Sequence, residues 1–235
     1  MKRTILSVLA FFFFYISQAA VYTVNTTSDA TLLPPGQVSL RQAMATADLN
    51  PGYDSIFFAI PGPGPHTIRP QSQLPILTDQ AGLRIDGFTQ AGAIEGPNPP
   101  STCVMMIEIS GSQAGNASGI WINSSNNFIT GLVIDSFAWD GISIEGVPSP
   151  GSNLNWIVSN FVGVDPSGTM AKPNGWFGGK YGGIAVWHVP LFTTLNLARM
   201  NNILTNLVSG NLSEGITLLS SPPDGDVAAN RVSKN

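Results

Sequence analysis

Four copies of one short element constrain this chain more than any other feature. They are Gly119-Ile120-Trp121-Ile122, Gly141-Ile142-Ser143-Ile144, Gly183-Ile184-Ala185-Val186 and Gly215-Ile216-Thr217-Leu218. Each alternates an aliphatic residue with any other, the period of a half-buried strand. A second element follows each copy: Phe128-Ile129-Thr130-Gly131-Leu132-Val133, Ile157-Val158-Ser159-Asn160-Phe161-Val162, Ile203-Leu204-Thr205-Asn206-Leu207-Val208 and Val227-Ala228-Ala229-Asn230-Arg231-Val232. The Gly-Ile pairs are spaced by 22, 42 and 32 residues, as one short coil with surface insertions requires. Such a strand cannot bury its aliphatic side alone. Stacking coil upon coil places Ile120, Ile142, Ile184 and Ile216 in one interior row, each burial contributing about 1.5–3 kcal/mol. Asn160, Asn206 and Asn230, with Gly131 in the first copy, are expected at one turn position. Asn and Gly tolerate left-handed backbone there, and stacked amides can bond along the axis.

Composition agrees. Only 10% of residues are charged, while Gly and Pro number 25 and 18. That excludes a coiled coil or helical bundle, and 43% apolar content excludes a disordered chain. Lys2 and Arg3 precede the apolar run Ile5 to Ile16 and then Ser17-Gln18-Ala19, the layout of a signal peptide over residues 1–19. The run is too short to span a bilayer, and no later stretch is long enough. The expected location is therefore outside the cytoplasm: periplasm, cell surface or medium. Fourteen acidic residues against ten basic ones, with no basic cluster, argue against nucleic acid as a partner. Cys103 is the only cysteine, so no intramolecular disulfide can form, and it reads as a buried inert thiol.

The N-terminal part differs from the repeats. Ser39 and Gln42 form a capping box, with Leu40, Ala43, Met44 and Ala47 at helical spacing behind it. Asn50-Pro51-Gly52 ends this helix, which is expected to cover the open end of the stack. Residues 20–110 thus read as a cap with the first coils, and residues 111–235 as the repeats.

Here the chain resembles a family. Ser39-Leu40-Arg41-Gln42-Ala43, then Asp54-Ser55-Ile56-Phe57-Phe58, Ile85-Asp86-Gly87, Thr89-Gln90 and Gly92 resemble the N-terminal module of bacterial exported right-handed parallel β-helix repeat proteins. Asn160-Phe161-Val162-Gly163-Val164-Asp165, with Ser167-Gly168-Thr169 and Pro173-Asn174-Gly175, resembles an insertion repeat of the same family. The resemblance covers residues 21–218. Two positions depart from it: Val38 stands where the family often has Cys, and Gln42 where it often has an acid. The implied fold is all-β, a right-handed parallel β-helix with a short N-terminal capping helix. The implied activity is open, since the family includes adhesin-like surface proteins and relatives of polysaccharide-degrading enzymes of the pectin-lyase-like type.

Catalytic motifs are scarce. Two histidines, His66 and His188, and one cysteine do not make a zinc site, and Asp224-Gly225-Asp226 lacks the downstream Glu of a calcium loop. Asn174 to Lys180 has Gly and Lys near a phosphate-loop order, but Tyr181 stands where Ser or Thr is needed. No Gly-x-Ser-x-Gly elbow occurs. Carboxylates remain, because glycoside hydrolysis needs a pair, and a lyase needs calcium ligands with a base. Asp140, Glu145 and Lys180 are the candidates, with calcium as cofactor only in that reading.

Aromatic residues offer a different site. Trp121 lies between inward Ile120 and Ile122, and Trp187 follows inward Val186, so both should point outward on one face with Asn123 and Glu145. Rings that stack on sugars, beside groups that bond hydroxyls, suit a glycan; insertions 147–153 and 166–181 folding over them is the alternative. The favoured reading is an exported, non-enzymatic β-helix protein that contacts a polysaccharide or cell-surface glycan and needs no cofactor. The runner-up is a polysaccharide lyase or hydrolase. A third reading follows from the repeat that runs to Asn235: a truncated remnant, its end pairing with another copy or continuing in a missing region.

Overall fold

Short alternating segments form eighteen strands among the described residues of this computed structural model, which are 18–96, 102–177, 179, 181–188, 196–220 and 225–235. The first six are β1 (Val21–Val24), β2 (Asp54–Phe58), β3 (His66–Ile68), β4 (Leu83–Asp86), β5 (Ile107–Ser110) and β6 (Ile120–Ile122). Then come β7 (Phe128–Thr130), β8 (Leu132–Asp135), β9 (Ile142–Pro148), β10 (Trp156–Val158), β11 (Phe161–Val162) and β12 (Ile184–His188). The last are β13 (Asn196–Leu197), β14 (Asn202–Leu204), β15 (Leu207–Val208), β16 (Ile216–Leu219), β17 (Gly225–Asp226) and β18 (Arg231–Ser233). The fold is mostly β. Its one described α-helix, α1 (Leu40–Ala47), lies between β1 and β2 in the chain.

The strands belong to three sheets. The first runs β1-β2-β4-β7-β10-β14-β18, the second β15-β11-β8-β5-β3, and the third β16-β12-β9-β13-β17 with β6 also beside β9. Among these strands every pairing is parallel except that of β13 with the Val147–Pro148 end of β9; isolated antiparallel bridges join Ile94 to Val104 and Val164 to Ala171. From β7 to β12 the chain visits the first, second and third sheets in turn, twice over. Parallel strands need such crossovers, since no hairpin can join them.

Register shows which side chains stack. Ile120 pairs with Ile142, Ile142 with Ile184, and Ile184 with Ile216, the row that the Gly-Ile elements predict. In the first sheet Ile56, Ile85, Ile129, Ile157 and Ile203 form a second row, and all five are fully buried. One apolar core runs from Val24 to Ile203 without a break near residue 110. Three of the four glycines heading the elements, Gly119, Gly141 and Gly183, leave no room for a side chain, while a Cβ on Gly215 would make only ordinary contact. A Cβ on Gly119 would lie 2.4 Å from the Gly141 carbonyl oxygen, and one on Gly183 would lie 2.4 Å from that of Gly215.

The turn position differs from expectation in register. Ile157 pairs with Ile129, not with Phe128, and Ile203 pairs with Val232. Asn160 and Asn206 do share one ladder, but its next member is Asn235. Asn230 belongs to another ladder, Asn127-Asn155-Asn201-Asn230, in which each Oδ1 accepts the backbone N–H of the preceding Asn at 2.9 Å. Gly131 is not the counterpart of Asn160; Leu132 is, and its N–H donates to Asn160 Oδ1. The residue before each ladder position is the left-handed one: Gly131, Ser159, Thr205 and Lys234 in one series, Asn126, Leu154, Met200 and Ala229 in the other. The turn therefore splits its two needs between neighbours. One residue bends the chain and the next supplies the amide.

The capping box forms. Ser39 Oγ accepts from Gln42 N, and Gln42 Oε1 accepts from Ser39 N. Leu40, Ala43, Met44 and Ala47 are buried against β1 and β2. Arg41, on the other side of the helix, ties Asp29 to the carbonyls of Ser72 and Gln73. Residues 1–17, most of the expected signal peptide, lie outside the described residues.

Candidate functional site

The outer face of the third sheet gathers four of the sequence-derived candidates. Inward Ile120, Ile122, Ile142, Ile144, Ile184 and Val186 force the alternate residues Trp121, Asn123, Ser143, Glu145 and Trp187 to the other side. Trp121 stands opposite Ser143, and Glu145 opposite Trp187. Diagonal contacts then join them. Trp121 Nε1 donates to Glu145 Oε2 at 2.9 Å, and Trp187 Nε1 donates to Ser143 Oγ at 2.6 Å.

Two rings that the alternation does not reveal extend this face. Trp139, from the turn before Gly141, meets Trp121 edge to face at 6.0 Å. Tyr181, from the insertion before β12, stacks on Trp139 at 5.8 Å. Trp121, Trp139, Tyr181 and Trp187 are all half-buried. The end of the insertion thus adds a ring to the face and leaves the others partly accessible.

Burial pushes the Glu145 carboxyl above its usual value, while Trp121, Asn123 and His188 draw it partly back down. Asn123 lies half-buried, and its Oδ1 has no hydrogen-bond partner among the described residues. Asp140 stands apart from this group. It is 3% exposed, its Oδ1 accepts the Gly182 N–H at 2.8 Å, and burial pushes it up to about 7. A carboxyl so enclosed holds neighbouring turns together. Lys180, the third of the candidates with Asp140 and Glu145, lies outside the described residues. Cys103 is half-buried, with Sγ near the Gly96 backbone.

Among the described residues no three His, Cys, Asp or Glu side chains are grouped to hold a metal ion, and no helix is long and apolar enough to cross a membrane. No family model, curated protein or solved structure matches the chain. The arrangement can therefore be judged only on its own chemistry: fixed aromatic faces, one carboxylate and several amide and hydroxyl groups. That set suits a ligand with alternating C–H faces and hydroxyls.

Proposed function

We propose that the chain is an exported right-handed parallel β-helix protein that binds a polysaccharide on the outer face of its third sheet. The alternating visits to three parallel sheets, the stacked Ile rows and the resemblance of the N-terminal module support the fold. The observation that carries the function is the run Trp121-Trp139-Tyr181 beside Glu145 and Trp187. Both sheet indoles spend their N–H on a neighbour in the sheet, which fixes the rings before a ligand arrives and lowers the ordering cost of binding. Calcium, a nucleic acid and a membrane play no part in this reading.

Affinity electrophoresis and tryptophan fluorescence against a panel of neutral and acidic polysaccharides test it. Retardation and quenching by one polymer, both weakened at least tenfold by Trp121→Ala and by Trp187→Ala, are expected. A folded protein with no retardation on any polymer overturns the reading.

A further inference from the structure

Three ionisable side chains that the aromatic face does not use meet on the outer face of the second sheet. Glu108 comes from β5 and Asp135 from the end of β8, where Ser110 pairs with Asp135 and Glu108 with Val133. Both carboxyls thus project from one face, two residues out of step. Glu108 is 3% and Asp135 0% exposed. The segment after β11 returns across this face and brings Lys172 to them. Lys172 Nζ pairs with Glu108 Oε1 and lies 3.9 Å from Asp135 Oδ2. Thr67 Oγ1 donates to the other Glu108 oxygen. Met105, Val133, Phe161 and Val164 form a small apolar cluster on the same face.

Asp135 is the anomaly. Both its oxygens are buried with no hydrogen bond of ordinary geometry among the described residues, only the weaker approaches of Glu108, Ser110 and Ser136, a costly state for an ionised carboxyl. Burial and the neighbouring Glu108 push it up to about 7, whereas Glu108, held by Lys172 and Thr67, stays below its usual range. The site therefore holds an acid that is about half neutral near pH 7, a lysine 3.9 Å from it, and a carboxylate touching that lysine.

We propose that Lys172 and Asp135 become joined by an amide bond that the folded chain forms itself, with Glu108 as the proton acceptor. Glu108 takes one proton from the Lys172 ammonium. The free amine attacks Cγ of neutral Asp135, the Nζ–Cγ bond forms, and the Cγ–O bond to the hydroxyl breaks. That hydroxyl takes a second proton from nitrogen and leaves as water. Ammonium and carboxylic acid become amide, water and one proton held on Glu108, with no change in oxidation state. The neutral acid is essential, because a carboxylate resists attack by an amine. Fixing amine and acid side by side supplies the proximity such a condensation needs. Ser136 and Pro173, the chain neighbours of Asp135 and Lys172, line an open groove of about 500 Å³ beside the site. The product would close a covalent loop in a chain whose single cysteine cannot form a disulfide within it.

Intact mass spectrometry of the denatured full chain, with its N-terminus read first, tests this. The wild type should be lighter than its unreacted sequence by one water, and digestion should give one branched peptide containing Asp135 and Lys172. Lys172→Arg and Asp135→Ala should restore the full mass. Glu108→Gln, which keeps both reacting groups, should leave the chain unlinked while circular dichroism shows it folded. A wild type of full mass after long incubation at neutral pH overturns the proposal. So does a water loss mapped to Asp86-Gly87 or Asp140-Gly141, where ring closure onto the next amide gives the same change. A folded Glu108→Gln protein that still links overturns the role of Glu108. The wild-type measurement decides the link even if every variant misfolds.

Discussion

Trp121 and Glu145 lie on adjacent strands of the third sheet, two residues out of step, and the indole N–H reaches the carboxylate at 2.9 Å. The contact fixes the ring and gives a half-buried acid a donor. It makes the aromatic face part of the sheet rather than an ornament on it.

Replacing Glu145 separates these effects. Glu145→Gln keeps an acceptor for the indole and should leave stability within about 0.5 kcal/mol of wild type. Glu145→Leu strands the N–H and should cost about 1–3 kcal/mol in urea unfolding. Equal stability of the two variants would show that the bond has no structural weight.

The amide ladders should carry far more. Asn155 is fully buried; its Oδ1 accepts from the backbone and side chain of Asn127, and its Nδ2 donates to Ser124 O and Asn201 Oδ1. Asn155→Ala leaves several buried partners unmatched and should cost about 3 kcal/mol or more. Asn230→Ala, at a half-buried rung, should cost about 1 kcal/mol. The two variants compared by thermal unfolding give the check, and a reversed order would contradict the ladder.

Stability should decline from mild acid to mild alkali. Asp140 titrates near 7 when folded against an ordinary value of 3.8, so the folded chain holds a proton that the unfolded chain releases between those values. Its contribution is complete below about pH 4 and is lost as pH rises through 7. Glu145, also raised, acts in the same direction, as does Asp135 wherever its carboxyl is unlinked. Glu108 and Asp165 are lowered and oppose them only in stronger acid. The midpoint of thermal unfolding should therefore fall from pH 5 to pH 8. Asp140→Asn, which keeps an oxygen for the Gly182 N–H, should flatten that slope; an unchanged slope would remove Asp140 from the account.

Gly119→Ala and Gly183→Ala should each be destabilising by about 3 kcal/mol or more, since the added carbon meets a backbone oxygen that cannot move aside. Soluble expression and urea midpoints give the check. Wild-type-like midpoints would mean that the strands can separate at these points.

What the sequence revealed depended on how tightly each position is restricted. The Gly-Ile rows were legible because at Gly119 and Gly183 only glycine fits beneath the neighbouring carbonyl and only an aliphatic residue fits inside. The capping box was legible because both partners lie three residues apart. The outward set Trp121, Asn123, Glu145 and Trp187 followed from simple alternation. The turn register was not legible, because the left-handed residue can be Ser159, Leu154, Met200 or Ala229, a set with no common chemistry. Asn127, Asn155 and Asn201 escaped notice because the insertions separate them unevenly. Trp139 and Tyr181 come from a turn and an insertion, where periodicity says nothing. Glu108 and Asp135 were not legible at all: they sit opposite inward Ile109 and Ile134 on their strands, but only the fold shows that a segment arriving from more than thirty residues later covers them.

The amide ladders also bear on how this chain comes apart. Each Asn amide holds only the turn before it and its own surroundings, so every rung is secured by its immediate neighbours and by nothing farther away. A chain held in that manner has nearest-neighbour energetics, as in a zipper. The rungs at Asn127, Asn155 and Asn160 are sealed on both sides, while Asn230 is half-buried and Asn235 exposed. Amide hydrogens should therefore exchange in a graded sequence along the axis, the Arg231–Ser233 strand first and the Ile129 and Ile157 rungs last.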